Sequence, residues 1–168
     1  VDLNANVGLR QSTYPRGGDD EATLLLEADT RTQLLVGGSA AVIALSWGLS
    51  AERAVVLAAP SSIEGVLLRF GAYVGLPEAC RPQFFEQMRR HVGFDPAGVH
   101  ISSYAEALSV PGLVLHDPED PEVPYADGQA IADRWRDASF AAVPDVGHRR
   151  ILREPAALER VVAFLRRA

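Results

Sequence analysis

Three short stretches carry side chains that together could perform acyl transfer. The first is Gly37-Gly38-Ser39-Ala40-Ala41, a serine among small residues between an apolar run and a helical pattern. A nucleophilic serine must stand clear of its surroundings, and a tight strand-to-helix turn built from small residues lifts it there. Such a turn also leaves backbone N–H groups, that of Ala40 first, facing a developing oxyanion. The second is His116-Asp117-Pro118-Glu119-Asp120-Pro121-Glu122-Val123-Pro124, an acidic loop after an apolar run. The third is Val143-Pro144-Asp145-Val146-Gly147-His148, in which Gly147 lets the chain turn back and return an imidazole toward the preceding strand. Each has a plain alternative: a small-residue turn, a solvated acidic loop, a surface histidine. Together they give the order Ser…Asp…His, each after a separate apolar run, which is the order of one class of serine hydrolases.

The elements that must position these residues follow from periodicity. Leu34–Val36, Arg53–Ala59, Gly112–His116 and Ser139–Val143 are short, largely continuous apolar runs, as expected of strands covered on both faces. Helices are expected after Ser39 to about Trp47, with Gly48 as the stop, from Ala126 to Trp135, and from Pro155 through Leu158, Val161, Val162 and Leu165. An interrupted helical stretch, 61–108, separates the second and third runs; Ile63, Val66, Leu67 and Phe70 open it at helical spacing. Near the start, Gln11–Asp20 reads as a loop. Asp19 or Asp20 is expected to cap a short helix through Leu24-Leu25-Leu26. The alternation predicts an α/β fold with a mostly parallel sheet flanked by helices.

The bulk numbers agree with one domain over 1–168. The chain has 168 residues, 48% hydrophobic and 23% charged, enough apolar material for a core. Its apolar runs are far shorter than the ~20 residues of a membrane helix, and Val1-Asp2-Leu3-Asn4 lacks a signal-peptide pattern, so cytoplasmic localisation is expected. Cys80 is the single cysteine, which excludes an internal disulfide. All 16 basic residues are arginine, scattered apart from three pairs, and the net charge is −6. No basic stripe points to nucleic acid. The Ala- and Val-rich, lysine-free composition fits a high-GC bacterial genome. No phosphate loop, dinucleotide fingerprint or metalloprotease helix is present, so no cofactor or metal is expected.

At this point the sequence resembles the α/β-hydrolase family over residues 33–168. Gln33–Leu45 looks like the segment bearing the nucleophile, Arg53–Pro60 like the strand that follows it, and Pro111–Pro124 like the strand and loop bearing the acid. Val146-Gly147-His148, with a helix ending Val162-Ala163-Phe164-Leu165, is similar to the histidine loop and last helix. The resemblance implies Ser39 as nucleophile, His148 as base and Asp120, shortly before Val123-Pro124, as the acid that orients it. It implies Gly38 and Ala40 as elbow and oxyanion positions, 61–108 as a helical cap, and a small acyl substrate. Two positions depart from the pattern. Ala41 stands where the family usually has glycine, and Gly38 where histidine is frequent. The resemblance also implies strands before the elbow, one followed by a loop with a second oxyanion donor. Val1–Leu3 and Gly8–Ser12 match that region poorly. The chain is therefore expected to lack those N-terminal strands and to offer an open sheet edge to a second copy.

Other candidates carry less. Asp117 and Glu119 flank Asp120 and could replace it as the acid. His91 and His100 fall in the cap, His116 at a strand end is expected to be packed or hydrogen-bonded, and Ser46 lies within a helix. Three readings stay open: an esterase-like serine hydrolase, a truncated or inactive hydrolase remnant acting through interactions, and a flavodoxin-like binding domain.

Overall fold

A computed structural model describes residues 24–28 and 32–166. The expected loop at Gln11–Asp20, the capping candidates Asp19 and Asp20, and the segments Val1–Leu3 and Gly8–Ser12 lie outside the described residues.

Five strands form one sheet: β1 (Leu24–Ala28), β2 (Thr32–Gly37), β3 (Arg53–Leu57), β4 (Gly112–His116) and β5 (Ala138–Ala142), in that spatial order. β2 to β5 are parallel, and β1 runs antiparallel to β2 with Leu24 opposite Val36 and Ala28 opposite Thr32. The helix expected through Leu24–Leu26 is thus a strand. A run this short cannot sustain a helix alone, whereas a partner strand a few residues away offers the backbone groups that face it a ladder.

The helices are α1 (Ser39–Ser46), α2 (Ile63–Tyr73), α3 (Arg81–Val92), α4 (Ile101–Ala105), α5 (Tyr125–Arg134), α6 (Gly147–Arg150) and α7 (Pro155–Leu165). Chain order and strand order coincide, so every parallel step runs the same way across the sheet. Right-handed crossovers then place α1, α4 and α5 on one face. One core accordingly joins Val42 and Leu45 of α1, Ile101 and Ala105 of α4, and Ile131 of α5 to Ala54, Val56 and Val114 of the sheet. The opposite face presents Val55, Leu113 and Leu115, which pack on Val161 and Phe164 of α7, and on Val146 and Ile151. Covering both faces accounts for the continuous apolar runs of β3 and β4.

The stretch between β3 and β4 divides in two. α4 is buried with the core, whereas no residue of α3 is buried and α2 buries only Leu67 and Gly71. α2 and α3 instead stack on each other through Phe70 and Phe84, ring centroids 6.3 Å apart.

Candidate active site

Ser39, Asp120 and His148 all follow the carboxyl ends of parallel strands, β2, β4 and β5 respectively. Open α/β sheets bind ligands along this edge.

Ser39 is the first residue of α1, with Gly38 as the N-cap at φ −104°. It is buried, and its Oγ donates to the Pro60 carbonyl at 3.1 Å. Ser39 itself is not in the left-handed region. Among the described residues the non-glycine positions with left-handed φ are Ala58, at 48°, and Asp145, at 65°. Left-handed backbone costs about 1–2 kcal/mol at a residue with a Cβ. The strain therefore lies at Ala58, where it ends β3 two residues before the run expected to Ala59 and turns Pro60 toward Ser39. Gly38 is not sterically required, since a Cβ there would meet nothing within 4 Å. Ala40 N–H lies in the first turn of α1, where no intrahelical acceptor exists.

Asp120 and His148 are brought together. His148 Nδ1 is 3.0 Å from Asp120 Oδ2, and the Asp120 side chain is fully buried. Asp120 Oδ1 accepts from the Glu122 and Val123 N–H groups at 2.8 and 2.9 Å. An ionised carboxylate only accepts, so this contact puts the imidazole proton on Nδ1 and leaves Nε2 with its lone pair. His148 reaches this position because the loop after β5 reverses at two left-handed residues, Asp145 and Gly147, the latter also at φ 65°.

The flanking acids do different work. The Glu119 N–H donates to Asp117 Oδ1 at 2.9 Å, and the Val146 and Gly147 N–H groups donate to Asp117 Oδ2 at 2.8 and 2.5 Å. Burial opposes the charge on Asp117, but the backbone N–H groups of Glu119, Gly147, Val146 and Asp145 outweigh it. They hold its carboxyl below the usual aspartate range. His116 is fully buried, and its Nε2–H donates to the Val123 carbonyl at 2.9 Å. The same nitrogen is 3.4 Å from Asp120 Oδ2. His91 is exposed on α3, His100 pairs in an isolated bridge with Ser62, and Ser46 Oγ donates within its own helix to Ile43.

Sequence reasoning missed the Pro60 carbonyl and the reach of Asp117, both long-range contacts that no local spacing signals. It also missed Asp127, which accepts from Ser61 Oγ at 2.8 Å and faces Arg69 at 3.4 Å, joining α5 to the segment after β3. A surface hollow lined by Glu64, Phe85, Glu86, Arg89 and Asp95 lies between α2, α3 and the turn after α3, and none of Ser39, Asp120 and His148 lines it. Of its charges, Glu86 is paired with Arg89 and with the neighbouring Arg90. Among the described residues no group of three or more His, Cys, Asp or Glu could hold a metal ion. Nor is any described helix long and apolar enough to cross a membrane.

No family model matches the sequence, and no curated protein does. Solved structures do match. An esterase from Pyrococcus furiosus superposes with a TM-score of 0.58 at 17% identity, over 79% of this chain and 52% of that one. An N-acyl homoserine lactone degrading enzyme matches with a TM-score of 0.55 at 20% identity, over 79% and 66%. An α/β-hydrolase enzyme from a Medee basin deep-sea metagenome library gives 0.54 at 14% identity, over 82% and 66%. The fold is that of the α/β-hydrolases. Four parallel strands and one antiparallel strand make up the described sheet, and the chain spans 52–66% of the length of these three structures.

Proposed function

We propose that this chain is a serine hydrolase that cleaves a carboxylic ester or related acyl compound, with Ser39 as nucleophile, His148 as base and Asp120 as the acid behind it. The observation that carries this reading is the 3.0 Å contact between His148 Nδ1 and the fully buried side chain of Asp120, at the same sheet edge as a serine opening a helix. In the first step the Ser39 hydroxyl leaves the Pro60 carbonyl and attacks the acyl carbon, and His148 Nε2 takes its proton. The oxyanion gathers at the Ala40 N–H. His148 then gives the proton to the departing alcohol, and water reverses the sequence to release the acid and restore Ser39. Asp120 stays ionised throughout and balances the imidazolium. An esterase and a lactone-degrading enzyme among the similar structures favour carboxylic esters as the substrate class. α2 and α3, within the 61–108 cap, are the elements we assign to substrate selection, with 1–168 acting as one cytoplasmic domain.

Hydrolysis of p-nitrophenyl acetate tests the reading. The wild type should turn over, and Ser39→Ala and His148→Ala should reduce the rate to background while the fold is retained. A folded wild type with no turnover of short acyl esters would reject it.

One observation favours a second reading, an inactive hydrolase remnant that acts by interaction. The Ser39 hydroxyl is engaged by Pro60, and its backbone is that of an ordinary helix start. In that case β1, which among the described residues pairs with β2 alone at the rim of the sheet, is the edge we assign to self-association. Sedimentation would show a concentration-dependent dimer in place of esterase activity.

A further inference from the structure

We propose that Asp117 is a positioning residue: its buried carboxylate clasps the loop that carries His148 and so sets the imidazole against Asp120. The clasp rests on the hydrolase reading above and adds a component to it. Asp117 is 1% exposed, and its side chain accepts from Glu119 N–H on its own loop and from Val146 and Gly147 N–H on the loop after β5. A buried carboxylate is costly unless its lone pairs are occupied, so these bonds hold firmly once made. They are also spent on backbone, which leaves Asp120 to face the imidazole.

The geometry makes this clasp a lever on the site. His148 directly follows Gly147, and Asp120 lies in the turn that Asp117 opens, where Asp120 N–H donates to the Asp117 carbonyl at 3.2 Å. Both ends of the Asp120–His148 contact therefore hang from the two loops Asp117 joins. Beyond β5 the Val143 N–H still pairs with the His116 carbonyl at 2.9 Å, and Arg150 donates back to the Asp145 and Val146 carbonyls. Between these the chain turns through two left-handed residues, Asp145 and Gly147, and the Asp117 carboxylate takes the N–H groups of Val146 and Gly147 there. A displacement of 1 Å at reacting groups costs on the order of 10²-fold in rate.

Asp117→Asn tests the clasp, because the amide keeps the shape but turns an N–H toward donors. Three measurements on wild type and variant decide it: thermal melting, turnover of p-nitrophenyl acetate, and the proton NMR resonance of His148 Nδ1–H. The variant should melt cooperatively, lose on the order of 10²-fold in kcat with KM changed less than about twofold, and lose the Nδ1–H resonance to solvent exchange. A folded variant that keeps either the wild-type kcat or the resonance would overturn the proposal. If Asp117→Asn does not fold, Asp117→Ser, which leaves no buried amide, takes its place. Failure of both to fold would make Asp117 a requirement of the fold and overturn the positioning role. If the wild type itself hydrolyses nothing, the hydrolase reading fails, and the resonance still decides whether Asp117 positions His148.

Discussion

In the proposed mechanism His148 acts as a base with its proton on Nδ1, and Asp120 is the group placed to hold the proton there. Its Oδ1 is committed to the N–H groups of Glu122 and Val123, so Oδ2 alone meets the ring. Asp120→Asn would keep the carbonyl oxygen on those two donors and turn the amide N–H toward Nδ1. The ring would then adopt the other tautomer, with Nε2 protonated and unable to accept. We expect kcat for p-nitrophenyl acetate to fall on the order of 10⁴-fold while the melting transition survives. The sequence made Ser39, Asp120 and His148 visible because each stands in a recognisable local setting. Residue type alone does not separate Asp120 from Asp117, both aspartates in one loop, and only the resemblance, through the position before Val123-Pro124, favours Asp120. Their roles differ through contacts with residues nearly thirty positions away, such as Val146 with Asp117. The Pro60 carbonyl, which holds the Ser39 hydroxyl, was hidden for the same reason.

Glycines show how the elements are fitted together. A Cβ on Gly112, at the start of β4, would lie 2.6 Å from the buried Trp135 ring, whose Nε1 donates to the Val110 carbonyl at 2.8 Å. Gly112→Ala should therefore cost about 1–3 kcal/mol by overpacking, read from urea denaturation midpoints. Gly38→Ala, where a Cβ meets nothing, should stay within about 0.5 kcal/mol of wild type in the same measurement. Element types in 33–168 were legible because long amphipathic stretches such as α7 and buried runs such as β4 have distinct periods. Leu24–Ala28 was misread because a short apolar run has no period of its own, and only the neighbouring β2 makes it a strand. β3 ended early because Ala58 turns left-handed, which an alanine in an apolar run does not announce.

At the scale of the molecule, the sheet order explains which helices share a face, and this was not written in any single segment. It follows from the equality of chain and strand order together with crossover handedness. The same assembly sets the acid stability. An unfolded aspartate titrates near 4, and Asp117 in the folded chain is held lower by its backbone donors despite burial. Its contribution to stability is therefore fully present above about pH 4 and lost as pH falls through the folded value. Denaturation midpoints measured from pH 7 down to 3 should show a steeper acid loss in wild type than in Asp117→Asn. The central claim concerns the reactive serine at the carboxyl edge of this sheet, and a fluorophosphonate probe with mass mapping tests it most directly. The account predicts a single adduct on Ser39, absent in Ser39→Ala and in folded His148→Ala. A folded wild-type chain that takes no adduct, or takes it on another residue, would contradict it.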